Sequence, residues 1–218
     1  MKAVAGIFLL ALTVGAHAQP YEAGVHYQPL PVPVQTANND AIEVVEVFSY
    51  ACVHCYDFEP LLATWVAQQG TGVDFRRFPA IFNPTWEQLA QTYYAAEALE
   101  VTAQVHGALF EAIHVTGKDV RDPEVLAELF YEQAEVDPVQ FAKVFSSFGV
   151  RSKVAQASAR GRAYRVTGVP SLIVNGKYRV DGRMAGGSAN MLQVVDYLIA
   201  KERGDDATAE LAAGSAGS

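Results

Sequence analysis

The chain has 218 residues, half of them hydrophobic and 18% charged, enough for one domain with a sizeable core or a small domain carrying an insertion. Its formal net charge of −8, with no basic cluster longer than Arg76-Arg77, argues against nucleic acid or an anionic membrane surface as a partner. With only Cys52 and Cys55 available, a disulfide-stapled scaffold is excluded, and any redox or metal chemistry must use that one pair.

In chain order, Met1-Lys2 is followed by the apolar run Ala3 to Val14 and then by Ala16-His17-Ala18. A short positive start, an apolar segment and an A-x-A end predict a secretory signal peptide over residues 1–18, cleaved before Gln19. The apolar stretch is too short to span a bilayer comfortably. In an exported chain of this size the core must come from packing, which leaves the cysteine pair free for chemistry.

Residues 19–39 carry Pro20, Pro29, Pro31 and Pro33 and show no helical period, so an extended lead-in is expected. Ala41 to Tyr50 is dominated by Val, Ile and Phe and reads as a central strand, with Glu46 the anomaly inside it. The segment after Cys52 reads as a helix through about Gln69, with Pro60 expected to kink it. Gly70 and Gly72 end that helix, and Val73 to Phe78 reads as a second strand.

From Asn83 to Phe148 the apolar residues recur at helical spacing, as in Trp86, Leu89 and Tyr93 or Phe141, Val144, Phe145 and Phe148. Asp122-Pro123 and Asp137-Pro138 each set a capping residue before a proline at the first helical position. About four helices are expected here. A further helix over Ser152 to Tyr164 leads to Val169-Pro170, and the strands Ser171 to Val174 and Lys177 to Val180 are joined by the hairpin pair Asn175-Gly176. Ser188 is expected to cap a last amphipathic helix that turns Leu192, Val195, Leu198 and Ile199 inward, and residues 204–218 read as a disordered tail. The order predicts an α/β protein: a thioredoxin-like fold over 19–82 and 150–203, with an inserted helical domain over 83–149.

Cys52-Val53-His54-Cys55 directly follows the strand. Cysteines at i and i+3 on a first helical turn share a face and stand close enough to bridge. The unpaired N–H groups and positive dipole end of a helix start favour thiolate there. This is the chemistry of a dithiol that exchanges disulfides. A metal site built from Cys52, His54 and Cys55 is the alternative, but structural zinc usually takes four ligands and there is no second cysteine pair.

The chain resembles the DsbA-type periplasmic thiol:disulfide oxidoreductases. The resemblance is carried by residues 45–59, around Cys52 and Cys55, by residues 167–178, around Val169-Pro170, and more weakly by the helical segment between them. It implies that Cys52 is the nucleophile, Cys55 the buried resolving partner and His54 the histidine between them. It also implies a cis Val169-Pro170 bond beside the pair, positioned to bind substrate backbone, and makes Glu46 a buried acid beneath the site, Glu59 a second acid and Pro60 the helix-kinking proline. Glu46 reads equally as a proton carrier for Cys55 or as a structural acid paired with Arg76 or Arg77. His26, His106 and His114 receive no role.

The family commonly has proline where this chain has Val53, a position that tunes the thiolate. The resemblance further implies folding exported proteins with free cysteines as substrates, an inner-membrane reoxidising partner of the DsbB type, no cofactor and no metal, and a monomer in the periplasm. A reductase or isomerase with reversed electron flow, or a chaperone with vestigial thiols, remains the alternative.

Overall fold

The structure is a computed structural model that describes residues 20–38 and 40–204. The signal peptide read at 1–18, and all of the tail read at 204–218 except Gly204, lie outside the described residues.

Among the described residues there is a five-stranded sheet in the order β1-β5-β4-β2-β3, formed by β1 (Gln28–Pro29), β2 (Ile42–Phe48), β3 (Val73–Pro79), β4 (Ser171–Val174) and β5 (Tyr178–Asp181). β2 runs parallel to β3 and antiparallel to β4, and the β4–β5 and β5–β1 pairs are antiparallel. The parallel pair needs a crossover, supplied by α1 (Val53–Gln68). β2 lies inside the sheet, which explains its nearly continuous apolar run.

The two-residue period of the strands divides the core. Val44, Leu172 and Val174 pack with Phe58, Leu62 and Trp65 of α1 and with Val195 and Leu198 of α8 (Ser188–Arg203). Val45, Val47 and Ile173 belong to the other core, with Leu89 and Tyr93 of α2 (Pro84–Ala98), Leu109 and Phe110 of α3 (Thr102–His114), and Val154 of α6 (Phe148–Ala163). α4 (Pro123–Ala134) and α5 (Pro138–Phe145) add Leu126, Phe130 and Phe141 to that second core.

The expected helical stretch thus holds four helices, α2 to α5, and three of them begin with a side-chain cap and a proline. Asn83 accepts from Trp86 N–H, Asp122 from Glu124 N–H, and Asp137 from both Val139 and Gln140 N–H.

Two expectations need correction, the start of α6 and the cap of α8, and the structure adds two elements, β1 within the extended lead-in and a short helix after β5. The lead-in contains β1: Tyr27 and Leu30 are buried, and Pro29 is tolerated because β1 is an edge strand. Val34 N–H donates to Gly176 O at 2.8 Å, extending the contact along the hairpin. A Cβ on Gly176 would meet Val34 O at 1.9 Å, and its φ of +62° also favours glycine.

α6 starts at Phe148 rather than Ser152, because the Ser147 side chain accepts from Val150 N–H and so caps it. A single-turn α7 (Gly182–Ala185), capped by Asp181, follows β5. Ser188 is the first residue of α8 rather than its cap; the cap position is Gly187, at φ +134°, and makes no side-chain hydrogen bond.

Candidate active site

β2 ends at Phe48 and the chain turns so that Cys52 N–H donates to Ser49 O at 3.0 Å. Cys52 becomes the N-cap of α1, with extended backbone angles, and its carbonyl accepts from Cys55 and Tyr56 N–H at 3.0 and 3.1 Å. The two cysteines therefore differ in environment. Cys52 is partly exposed at the helix start, whereas Cys55 is fully buried, and both are free thiols.

The Cys52 thiol is lowered to about 6. The main cause is a hydrogen bond from the Cys55 thiol to the Cys52 sulfur, opposed by burial and reinforced by the backbone N–H groups of Cys55 and His54 and by the His54 charge. Cys55 is pushed far the other way, first by burial, then by its bond to Cys52. At neutral pH the pair carries one negative charge and one proton.

Val169-Pro170 is a cis peptide bond. The Val169 carbonyl lies 3.5 Å from Cys52 Sγ, so the loop before β4 meets the start of α1. The exposed His54 joins Val169 and Pro170 along a groove of about 740 Å³ that Met184 and Met191 also line. Val53 is half exposed beside it. A second hollow of about 600 Å³, between β3, α2 and α6, is lined by neither cysteine nor by His54 or Pro170.

Beneath the cysteines the parallel register sets Glu46 beside Arg77 on the α1 face of the sheet. Arg77 Nε donates to Glu46 Oε2 at 2.7 Å, and Arg77 Nη2 donates to Glu59 Oε2 at 3.0 Å, so one guanidinium joins two carboxylates from β2 and α1. Glu46 is fully buried and its Oε1 has no hydrogen-bond partner. Burial raises its carboxyl to about 7 against the pull of Arg77, and the charges of Glu59 and Cys52 add to the rise. Burial disfavours charge on Arg77 too, but Glu46 and Glu59 overcome this and raise its pKa.

Six of the residues singled out from the sequence lie together here: Cys52, His54 and Cys55 at the start of α1, Val169 and Pro170 beside them, and Glu46 within electrostatic reach of both cysteines. Of the two arginines considered as its partner, Arg77 holds Glu46, while Arg76 reaches Asp74 and Glu43.

His106 and His114, which receive no role from the sequence, both meet partners in the fold. His106 Nδ1 lies 2.9 Å from Tyr50 Oη, its Nε2 lies 3.3 Å from Glu59 Oε1, and His114 Nε2 is 2.8 Å from Tyr50 O. Their spacing on a predicted helix could have shown that both share a face, but not that this face meets α1.

Comparison with known proteins gives a consistent picture. The family described as "DSBA-like thioredoxin domain" matches residues 68–199, a span that includes Val169-Pro170 and begins after the cysteines. The "Thiol:disulfide interchange protein DsbA" of Azotobacter vinelandii is 42% identical over 203 residues, covering 92% of this chain and 94% of that protein. The protein of the same name from Pseudomonas aeruginosa is 41% identical and covers 93% and 94%. The crystal structure of Pseudomonas aeruginosa DsbA superimposes with a TM-score of 0.80 over 84% of this chain and 95% of that one. The oxidoreductase DsbA of Xylella fastidiosa gives 0.78 at 35% identity, over 84% and 98%.

Proposed function

The chain belongs to the DsbA family of thiol:disulfide oxidoreductases, and from that premise we propose that Cys52 and Cys55 are its exchanging pair and that it works as a dithiol oxidase. The observation that carries this reading is the asymmetry of the two thiols, one lowered to about 6 at a helix start and the other buried and held protonated. A substrate thiolate attacks Cys52 of the disulfide form, since Cys55 has no exposed surface. Cys55 leaves and takes up a proton. A second substrate thiolate then attacks the substrate's own sulfur in the mixed disulfide and releases Cys52 as a thiolate. A low pKa makes Cys52 a good leaving group and stabilises the reduced protein, so the oxidised protein is the stronger oxidant.

The remaining roles follow from position. Val169, with its carbonyl beside Cys52, offers backbone hydrogen bonds to an extended substrate segment, with Pro170 shaping that wall of the groove. His54 supplies a backbone N–H and, when charged, positive potential to the thiolate. Glu46 carries a proton to and from Cys55: it is buried, is raised to about 7 and keeps one oxygen without a partner. Residues 83–149 form the inserted helical domain, a reading supported by α2 to α5 falling together between β3 and α6.

Substrates are folding exported proteins with free cysteines, met in the periplasm after export by the leader read at 1–18. Reoxidation is by an inner-membrane partner of the DsbB type, and the protein acts as a monomer. Neither a cofactor nor a metal enters this reading.

The test is the equilibrium with glutathione at neutral pH together with oxidation of a dithiol peptide. The expected potential is more positive than about −200 mV, on the oxidising side of the glutaredoxins. A value near that of thioredoxin, about −270 mV, would reverse the electron flow and favour the reductase.

A further inference from the structure

The groove beside Cys52 carries a charge that the exchange chemistry does not use. Besides His54, its lining holds three charged residues, Arg179, Asp181 and Arg183. Arg179 and Asp181 are engaged with the fold. Arg179 Nε lies 3.9 Å from Asp181 Oδ2, and Arg179 Nη1 donates to Arg165 O. Asp181 Oδ1 in turn accepts from Met184 N–H at 3.0 Å and so caps α7. Arg183 differs from both: it is exposed, and among the described residues it makes no hydrogen bond, ion pair or ring contact.

The turn that presents Arg183 is braced. Asp181 holds the start of α7, and Asn190 Nδ2 donates back to Ala185 O, tying α7 to α8. A Cβ on Gly182 would stand 3.5 Å from Met191 Sδ, so the turn lies close against α8.

Arg179 and Asp181 offset each other, so with His54 neutral the lining keeps one positive charge, in a chain whose net charge is −8. A guanidinium stays charged at any working pH. A cleft lined by one sign of charge draws in groups of the other sign and raises their local concentration. In the disulfide form Cys52 has no charge, so nothing at the sulfur offsets Arg183 while a substrate arrives. Once reduced, Cys52 is lowered by the Cys55 thiol, the nearby backbone N–H groups and His54. Arg183 is therefore expected to act on which segment docks and not on the reduction potential.

We propose that Arg183 is a specificity-determining residue that selects substrate segments carrying acidic side chains close to the reacting cysteine. This rests on the exchange reaction proposed above, in which Val169 holds the backbone of the same segment. In an extended segment the residues two before and two after the cysteine share its face, so a Glu or Asp there is turned toward the groove. Met184 and Met191 add apolar contact that adapts to varied neighbours.

The experiment is oxidation of three dithiol peptides by the oxidised full chain at neutral pH, read as second-order rate constants. The peptides are identical except for Glu, Gln or Lys at the positions two before and two after each cysteine. These charges also shift the peptide's own thiols. The readout is therefore the Glu-to-Lys rate ratio of each variant relative to wild type, in which the peptide's own contribution cancels. Arg183→Ala is expected to lower the ratio by about threefold, the scale of one exposed ion pair, and Arg183→Glu by about tenfold. Arg183→Lys keeps the charge and should stay within about twofold of wild type. In about 1 M salt, where the screening length is about 3 Å, all four proteins should agree within about twofold. The glutathione equilibrium and the unfolding midpoint are measured alongside, and the equilibrium should stay within about twofold of wild type in every variant.

A ratio within about 1.5-fold of wild type in both Arg183→Ala and Arg183→Glu overturns the proposal, as does a fall in the ratio that salt leaves unchanged. If Arg183→Glu does not fold, Arg183→Ala decides alone. A wild-type chain that fails to oxidise even the Gln peptide would instead defeat the parent reading.

Discussion

Cys52→Ser is expected to abolish dithiol-peptide oxidation, by about a thousandfold or more, as loss of a covalent nucleophile does. Cys55→Ser is expected to behave differently. It keeps the exposed, low-pKa sulfur, so Cys52 can still attack a disulfide-bonded peptide and release one peptide thiolate, but the buried thiol that would displace Cys52 from that adduct is gone, and the mixed disulfide should accumulate with oxidised peptide and survive non-reducing electrophoresis. The difference follows from burial: Cys52 is partly exposed at the start of α1, and Cys55 has no accessible surface. Equal loss of activity without adducts in either variant, or a Cys52→Ser protein retaining a tenth of the activity, would contradict the assignment of roles.

Arg77→Leu is expected to destabilise the oxidised form by about 3 kcal/mol or more at pH 8, the usual scale for removing one partner of a buried ion pair. The loss should be clearly smaller at pH 5. Glu46 is raised from 4.5 to about 7 even with Arg77 beside it, and Arg77 pulls it down, so removing Arg77 raises it further. A group raised in the folded state gives stability that is fully present below its unfolded pKa, near 4.5, and that is lost as pH rises through its folded pKa. Between those limits the folded protein holds the extra proton, and stability falls by at most about 1.4 kcal/mol per pH unit. The Arg77→Leu substitution widens that window upward. Denaturant midpoints at the two pH values decide it, and the oxidised form keeps the Cys52 titration out of the comparison. An equal loss at both values would show that Glu46 does not titrate in this range.

Much of this site can be read before any coordinates. The Val-rich β2, the cysteines at the start of α1, the Asp-Pro helix starts and the Asn175-Gly176 hairpin are local signals, set by periodicity, capping and turn chemistry within a few residues. Glu46 stands out because a carboxylate inside an apolar strand needs a partner, and the register of β2 with β3 supplies Arg77.

The features that the sequence hides are long-range or depend on a single bond. β1 is two residues long and forms only because β5 presents an edge to it. α6 begins earlier than its pattern suggests because one serine side chain caps it. His106 looks idle in the sequence because its two neighbours, Tyr50 and Glu59, lie 56 and 47 positions away, and only the docking of α3 on α1 brings them together.

The central claim is that the fold makes Cys52 a thiolate at neutral pH while keeping Cys55 protonated. Ultraviolet thiolate absorbance of the reduced protein, titrated with pH and corrected with the Cys52→Ser variant, measures this directly. One thiolate per chain is expected, with a midpoint near 6 and no second ionisation through the neutral range. A midpoint near 8.5, about the value of a free cysteine, or two thiols titrating together, would contradict the account.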